Sequence, residues 1–337
     1  MEAFVVRSPG GLDRLEIAEK PDPGEPGPGE IRVALHATSL NFHDYLVAAG
    51  HISSEDGRVL MSDGAGVVEA VGAGVTEFNT GDNVVSCFFP QWSDGLPGPG
   101  VGSFSDTPGD GIDGFAVKHA VCPCSAFTHA PRGWSHAESA TITTAGLTAW
   151  RALVVDGSLK AGDTVLTLGT GGVSIAAVQL ARAMGARVIA TSSSDEKLKR
   201  VSELGADHTI NYKREGNWGK KALELTDGRG VDHVVEVGGP GTLAQSIEAV
   251  RVGGHIALIG VLTGRSGEIP TAVLMAKHAR LQGLIVGSRR QQQEYVAALE
   301  QTGIRPVVDR TFGLEELGNA FRYQESGRHF GKICVQW

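Results

Sequence analysis

A glycine-rich turn in the middle of the chain carries the clearest chemical signal. The turn Gly169-Thr170-Gly171-Gly172-Val173-Ser174 joins the β-type run TVLTL to the helical pattern GVSIAAVQLARAMG. Glycines there let backbone N–H groups approach a pyrophosphate at the positive end of the helix dipole. Ser174 replaces the usual third glycine and is still small enough for close contact between helix and sheet. We therefore expect a dinucleotide to bind at Gly169, Gly171, Gly172 and Val173, with a purely structural turn as the alternative.

The end of the next strand indicates which dinucleotide to expect. Sites for NAD usually place Asp or Glu there, to bind the ribose hydroxyls. This strand ends in Thr191-Ser192-Ser193-Ser194. A 2′-phosphate meets no repulsion at such a tip, and Ser192, Ser193 and Lys197 can bind it. We expect NADPH. NADH is the alternative, because Asp195 or Glu196 could turn toward the ribose and because Ser193 to Glu196 also fits an ordinary capping box.

Strands and helices alternate from the turn onward. Six β-type runs follow one another: TVLTLGT, ARVIATS, HTINY, DHVVEVGG, GHIALIGV and LQGLIVG. Helical patterns near 196–204 and 243–250 lie between them, and parallel strands need crossovers of this kind. The pattern predicts an α/β fold with a doubly wound parallel sheet.

The chain before this region has a different pattern. Short β-type runs separated by Gly/Pro turns extend from Met1 to about Pro123, which is typical of a turn-rich β domain. Residues 90–111 have no hydrophobic period, so we expect a long surface loop there. A capping box formed by Ser135 and Glu138 predicts a helix that leads into the second domain.

Composition limits the classes of function. The 337 residues are 41% hydrophobic and 20% charged, as expected for two globular domains. A net charge of −8 without a Lys/Arg stripe argues against nucleic acid or an anionic membrane as a partner. No apolar run reaches membrane-spanning length and the N-terminus has no secretory pattern, so we expect a cytoplasmic protein. The cysteines lack Cys-x-x-Cys spacing and are expected to be buried free thiols: Cys87, Cys122, Cys124 and Cys334.

Seven ordered segments resemble the medium-chain dehydrogenase/reductase superfamily over essentially the whole chain. They are NFHDY, MSDGAGVVEAVGAGV, GDNVV, TTAGLTAW, LGTGGVSIAAVQLARAMGARVIATSSSDEK, LGADHTINY and FGKICV. The resemblance implies a GroES-like β-rich catalytic domain, residues 1–125 and 275–337, split around a Rossmann domain, residues 126–274. It also implies a homodimer joined through the edge of the Rossmann sheet.

The zinc ligands of the superfamily's alcohol dehydrogenases have no counterpart here. Asn41 takes the position of the cysteine ligand, Met61-Ser62-Asp63 corresponds to the Gly-His-Glu motif, and the third ligand position falls at Thr144. Amide and hydroxyl oxygens are poor substitutes for thiolate and imidazole. Residues 90–111 also lack the four cysteines of the structural zinc lobe. We therefore expect no zinc.

Asn41, the glycine turn and Tyr212 resemble the quinone oxidoreductase and enone reductase branch. In that branch the tyrosine helps to hold the 2′-phosphate, so the resemblance implies this role for Tyr212, with a core aromatic at a strand end as the alternative. Thr144 and Thr148 are expected near the nicotinamide, unless they only pack a helix. The remaining cofactor-binding candidates are Gly238, Gly260 and Lys332.

Reduction of a quinone or enone needs a hydride donor and a hydrogen-bond donor at the carbonyl oxygen. Asn41 is the candidate donor. Oxidation of a simple alcohol without a metal needs a general base. Tyr45, His43 and His51 are available for this, but no relay is recognisable. The catalytic candidates are thus Asn41, Tyr45 and Asp44, although Asp44, like Asp63, could instead hold the local fold or position the nicotinamide ribose.

Three hypotheses follow for a protein that acts on a small molecule. The leading one is a zinc-independent NADPH-dependent oxidoreductase that transfers hydride to an activated enone or quinone. The second is a zinc-free alcohol dehydrogenase or carbonyl reductase. The third is a non-catalytic NADPH-binding protein.

Overall fold

The computed structural model describes all 337 residues of the chain. The strands are β1 Glu2–Val6, β2 Leu15–Glu19, β3 Glu30–Ser39, β4 Arg58–Val59, β5 Ala65–Val71, β6 Asn83–Ser86, β7 His119–Pro123, β8 Phe127–His129, β9 Thr164–Leu168, β10 Arg187–Ser192, β11 His208–Asn211, β12 Val231–Glu236, β13 Val250–Leu258, β14 Arg280–Gly283, β15 Val308–Gly313 and β16 Lys332–Gln336. The α-helices are α1 Phe42–Ala48, α2 Pro99–Ser103, α3 His136–Ala140, α4 Leu147–Trp150, α5 Gly172–Ala183, α6 Asp195–Glu203, α7 Trp218–Glu224, α8 Pro240–Ala249, α9 Thr271–Ala276, α10 Arg289–Thr302 and α11 Leu317–Glu325. Two π-helical turns, Ile142–Gly146 and Arg151–Val155, flank α4.

The chain divides into two compact units. The first contains Met1–Leu147 and Val286–Trp337, and the second contains Thr148–Ile285. The two divisions between these units fall later along the chain than the limits expected from the sequence, 125/126 and 274/275. The expected domain boundaries stay a prediction. No helix is long and apolar enough to cross a membrane.

The second unit is built on a six-stranded sheet in the order β11-β10-β9-β12-β13-β14. All of its strand pairs are parallel. β9 and β12 are buried along their whole length, as expected for a sheet covered on both faces. The chain winds outward in both directions from β9, so the carboxyl end of β9 is the switch point at which such sheets bind ligands. The predicted doubly wound fold is confirmed.

The first unit contains a sheet in the order β15-β16-β3-β5-β6-β8, with β7 also paired to β3, and a small sheet β2-β1-β4. β3 alternates between buried and partly exposed residues until its last three positions, which are all buried. β16 runs antiparallel to β3, with Cys334 opposite Ser39. This pairing brings the C-terminal segment beside the start of α1, where Leu40 N donates to Ile333 O at 2.9 Å.

Two local expectations need correction. Residues 90–111 are mainly loop, but they include the short helix α2, and Phe104 after it stacks on His43 with ring centroids 4.8 Å apart. This aromatic contact holds the segment against α1, and a single contact of this kind leaves no periodic hydrophobic pattern in the sequence. All four cysteines are free, but only Cys87 and Cys334 are fully buried, because Cys122 lies on the partly exposed strand β7 and Cys124 follows it.

Candidate functional site

The glycine turn of the second unit leaves open space in front of a helix. Gly169 has a φ of +71°, and a Cβ added at Gly169 or Gly171 would meet no atom within 4 Å. α5 begins at Gly172, so the first backbone N–H groups of this helix have no partner within it. Ser174 is buried, and its hydroxyl donates to the carbonyl oxygen of Leu168 at 2.7 Å. The arrangement fits a pyrophosphate at the switch point of the sheet.

The tip of β10 presents hydroxyls beside residues that follow β11. Ser192 is buried, and its carbonyl oxygen accepts from Tyr212 N at 3.1 Å, so the structure brings these two candidates together. Ser194 is the residue that caps α6, since its hydroxyl accepts from Lys197 N at 3.3 Å. The expected cap therefore lies one residue further along than Ser193.

The Asp195 carboxylate already has partners. Asn211 Nδ2 donates to Asp195 Oδ1 at 2.7 Å, and Arg214 forms an ion pair with Asp195 Oδ2. Arg214 was not among the sequence candidates, although its position three residues after the end of β11 and close to Tyr212 could have indicated a role at this tip. Its guanidinium is 75% exposed and adds a positive charge at the tip where a 2′-phosphate is expected.

Two more glycine turns follow β12 and β13. A Cβ at Gly260 would lie 1.9 Å from the Val237 carbonyl oxygen, so this turn requires a residue without a side chain. Glu236 is fully buried and accepts from Gly238 N at 2.8 Å and from Thr242 Oγ1 at 2.6 Å. The buried carboxylate fixes the turn that holds Gly238. Sequence analysis missed Glu236, because a carboxylate at a buried strand end is recognisable only from its contacts.

A buried charged cluster lies in the first unit, where the end of β3 meets the starts of α1 and β16 and the segment just before β5. Lys332 Nζ donates to Asn41 Oδ1 at 2.5 Å and to Leu40 O at 2.6 Å. The same ammonium lies 3.7 Å from Asp63 Oδ2. Asp63 and Lys332 are 0% and 5% exposed. The structure thus places Lys332, expected to bind the cofactor, beside Asn41 and Asp63.

Asp63 is held by hydroxyl groups from two other segments. Ser39 Oγ donates to Asp63 Oδ2 at 2.5 Å, and Thr144 Oγ1 donates to Asp63 Oδ1 at 2.6 Å. Burial raises the pKa of Asp63 to about 6, while the nearby Lys332 ammonium acts against this rise. The hydroxyl hydrogen of Thr144 is donated to Asp63, and the expected place of Thr144 near a nicotinamide stays a prediction. Thr148, in the second unit, is buried.

The expected role of Asn41 as a carbonyl donor does not fit this geometry. Asn41 Nδ2 donates to Asp44 Oδ2 at 3.0 Å and to Ser39 O at 3.3 Å, so both amide hydrogens have internal acceptors. Asp44 is buried and also accepts from Asn41 N at 2.9 Å and from Ser62 N at 2.8 Å. Asn41 therefore positions Lys332, and Asp44 holds the local fold.

Two of the three other candidate bases, Tyr45 and His43, have side-chain partners elsewhere. Tyr45 OH donates to Glu325 Oε1 at 2.7 Å, and this hydrogen bond raises the pKa of the phenol. His43 Nε2 lies 3.0 Å from Asp110 Oδ2. The ring of His51 lies 6.2 Å from that of Tyr45. Neither the Tyr45 hydroxyl nor the His43 ring has a hydrogen bond to the side chain of Asn41 or Lys332.

Comparison with known proteins places the chain in a family. The model of the alcohol dehydrogenase GroES-like domain matches residues 27–132, and that of zinc-binding dehydrogenases matches residues 172–301. A zinc-type alcohol dehydrogenase-like protein of Schizosaccharomyces pombe is 41% identical over 334 residues, which cover 97% of this chain and 96% of that protein.

Solved structures are also similar to this chain over its whole length. An NAD-dependent alcohol dehydrogenase is 36% identical, with a TM-score of 0.90 and full coverage of both chains. A quinone oxidoreductase of Pseudomonas syringae pv. tomato is 27% identical, with a TM-score of 0.83 and coverage of 100% of this chain and 99% of that one. The chain belongs to the medium-chain dehydrogenase/reductase superfamily, and it is an NAD(P)-dependent oxidoreductase. The resemblance found in the sequence is confirmed.

Proposed function

We propose that this chain is a metal-independent, NADPH-dependent reductase that transfers hydride to an activated enone or a quinone. The observation that carries the proposal is the Lys332 ammonium, which lies among the residues at the family's zinc-ligand positions. Lys332 Nζ is 2.5 Å from Asn41 Oδ1 and 3.7 Å from Asp63 Oδ2. A Zn²⁺ bound by these oxygens would lie beside a buried cation, and charges at such distances repel strongly in a protein interior.

The donor set itself also does not fit zinc. Catalytic zinc takes three protein ligands of imidazole, thiolate or carboxylate type. Asn41 and Thr144 offer neutral oxygens, and each already has hydrogen-bond partners. Among the positions that match the zinc ligands, which are Asn41, Met61-Ser62-Asp63 and Thr144, Asp63 is the one carboxylate. The words zinc-type and zinc-binding thus describe the relatives and the family model.

NADPH is the proposed cofactor. The glycine turn before α5 would hold the pyrophosphate, and Ser192, Ser193, Lys197 and Tyr212 would surround the 2′-phosphate. The Asp195 carboxylate, at the start of α6, is paired with Arg214, which reduces its repulsion of a phosphate. When bound, the cofactor supplies a hydride, and the chain's own residues orient the acceptor and stabilise the charge that develops on it.

Enone and quinone reduction suit such a site because no alkoxide has to be formed. Hydride addition to an activated double bond places negative charge on a carbonyl oxygen, where a fixed positive group is most effective. Oxidation of an alcohol would instead need a base close to the hydroxyl. Tyr45 and His43 are engaged with Glu325 and Asp110.

The test is a panel of electrophiles assayed with NADPH on protein of measured metal content. We expect turnover with 2-cyclohexenone or 1,4-naphthoquinone and little with saturated aldehydes. Turnover of saturated carbonyls alone would favour a zinc-free carbonyl reductase, a second candidate supported by the similarity to an NAD-dependent alcohol dehydrogenase. Tight NADPH binding without oxidation by any acceptor would indicate a non-catalytic protein.

We also propose a homodimer. β14 is the last strand of the parallel sheet, and pairs only with β13. Exposed apolar side chains precede it, with Met275 73% and Val273 44% exposed. Pairing of two β14 edges would cover both features. Light scattering after size-exclusion chromatography should give the mass of two chains, and the mass of one chain would exclude this arrangement.

A further inference from the structure

Two buried histidines lie side by side in the parallel sheet of the second unit. His233 of β12 is the register partner of His255 of β13, and His255 is in turn the register partner of Arg280 of β14. The two imidazole rings have their centroids 5.9 Å apart, and the residues are 5% and 4% exposed. Register partners in neighbouring strands have their side chains on the same face of the sheet, so these three side chains form one row.

The two imidazoles differ in their hydrogen bonds. His233 Nε2 lies 3.1 Å from the Asp163 carboxylate, but His233 Nδ1 and both ring nitrogens of His255 have no hydrogen-bond partner in the protein. A neutral imidazole has one donor and one acceptor, whereas a protonated imidazole has two donors. A proton on His255 would therefore add a buried charge and a buried donor with no acceptor for either.

The charged groups around the row do not offset a proton on His255. Its register partner Arg280 brings a guanidinium, which donates to the backbone carbonyl oxygen of Asp156. The carboxylates around the row each have another partner, namely Asp163 with His233, Asp232 with Arg229 and Arg251, and Asp156 with Arg151. His255 thus has a cation and a second imidazole beside it, and no carboxylate within hydrogen-bond distance.

The π-helical turn Arg151–Val155 covers this face of the sheet. Ala257, two residues after His255 and on the same face, packs in a buried cluster with Ala152 of that turn and with Leu284. Just after the turn, a Cβ at Gly157 would lie 3.1 Å from His233 Nδ1. Water can therefore reach the ring of His255 only when the covering turn or the neighbouring strands move away.

We propose that His233 and His255 form an acid-sensitive switch in the second unit. In mild acid the part of the sheet formed by β12, β13 and β14 opens, because His255 takes up a proton only where water reaches its ring. The glycine turns with Gly238 and Gly260 follow β12 and β13, so this opening also disturbs the expected cofactor site. The switch does not depend on which acceptor the enzyme reduces.

The direction of the pH effect follows from proton linkage. Burial, and after it the nearby Arg280 and His233, lower the pKa of His255 from 6.5 to about 4. Burial also lowers the pKa of His233, against the effect of the Asp163 carboxylate. The contribution of His255 to stability is then fully present above pH 6.5 and is lost as the pH falls toward 4. From pH 7.5 to pH 5, His255 alone should raise the unfolding equilibrium constant about 30-fold.

The first test removes the proton-binding ring. His255→Phe keeps a flat ring that cannot be protonated, so the rise of the unfolding equilibrium constant from pH 7.5 to pH 5 should be about 30-fold smaller than in the wild type. Urea unfolding of the full chain measures it. Asp63 titrates over an overlapping range with the opposite sign, so each variant is compared with the wild type at both pH values.

A matched control and a second variant complete this test. His208 is exposed on β11 of the same sheet, and His208→Phe should keep the wild-type change between the two pH values. If His255→Phe does not fold, His255→Leu removes the same proton-binding group with a smaller side chain and should give the same flattening.

Hydrogen exchange measured by mass spectrometry locates the opening. After correction for the intrinsic exchange rates, the backbone amides of β12, β13 and β14 should lose about 30-fold of their protection from pH 7.5 to pH 5 in the wild type. The amides of β10 and β11 should lose much less, and His255→Phe should abolish the loss in β12 to β14.

Two results would overturn the proposal. One is protection of β12, β13 and β14 that is the same at both pH values in the wild type. The other is an equal rise of the unfolding equilibrium constant in the wild type and in folded His255 variants, since a different group would then cause the acid sensitivity.

Discussion

The two charged regions of this protein differ in their exposure to solvent. In the first unit, Asp63 and Lys332 have side chains that are 0% and 6% exposed and are fixed by hydrogen bonds from several segments. In the second, Asp195 and Arg214 have side chains that are 52% and 75% exposed. Buried pairs have strong mutual attraction and a large desolvation cost, whereas exposed pairs contribute little. We therefore expect the buried cluster to control stability and chemistry, and the exposed tip to adjust cofactor choice.

The largest expected effect is that of Asp63→Ala on stability. It removes the acceptor of Ser39 and Thr144 and leaves the Lys332 ammonium without a nearby carboxylate. Loss of one partner of a buried pair typically costs about 3–5 kcal/mol. Urea unfolding at neutral pH measures the change. The matched control is Asp13→Ala, whose carboxylate is 94% exposed and paired with Arg322. Equal losses of unfolding free energy in the two variants would contradict the expected difference between buried and exposed ion pairs.

The pH dependence of the unfolding free energy is a second test of the buried Asp63. Burial raises the pKa of Asp63 from 3.8 to about 6, so the folded state binds this proton more tightly than the unfolded state. The contribution to stability is then fully present below pH 3.8 and is lost as the pH rises through about 6. Asp63→Asn should flatten the curve of unfolding free energy over this window by roughly 2 kcal/mol. A curve identical to that of the wild type would contradict the assignment.

We expect cofactor choice to depend on the tip of β10, where Ser192 is buried and the Asp195–Arg214 pair is exposed. Ser192→Asp places a carboxylate where the 2′-phosphate is expected and should weaken NADPH at least about tenfold through charge repulsion. NADH lacks that phosphate and should be affected far less. Nucleotide fluorescence titration measures both affinities. Ser202→Asp adds the same charge at an exposed position of α6 and is the control. Equal weakening of NADPH and NADH by Ser192→Asp would exclude the proposed 2′-phosphate site.

The smallest expected effect is that of Arg214→Ala. Its guanidinium is exposed and shared with Asp195, so loss of the charge should weaken NADPH by only about threefold, and less at high salt. Lys213→Ala removes a neighbouring exposed charge and is the matched control. The same loss in both variants would mean that net charge, and not the position of Arg214, affects binding.

The sequence predicted the elements whose signals are local. The glycine turn, the six parallel strands and the role of Ser174 as a small residue at the helix–sheet contact follow from short patterns. The partner of Lys332 could not be predicted, since Asn41 lies 291 positions away in the chain. The hydrogen bonds of the Asn41 amide could be predicted in part, because Asp44 stands three residues later, as in a helix cap. Glu236 and Arg214 were missed, because their roles depend on contacts between separate turns.

The most direct test of the central claim is NADPH-dependent reduction of 1,4-naphthoquinone and 2-cyclohexenone by protein whose zinc content is measured by mass spectrometry, before and after dialysis against EDTA. The account predicts turnover that is unchanged by the chelator in protein with far less than one zinc per chain. Turnover that disappears on dialysis and returns with added zinc would contradict it.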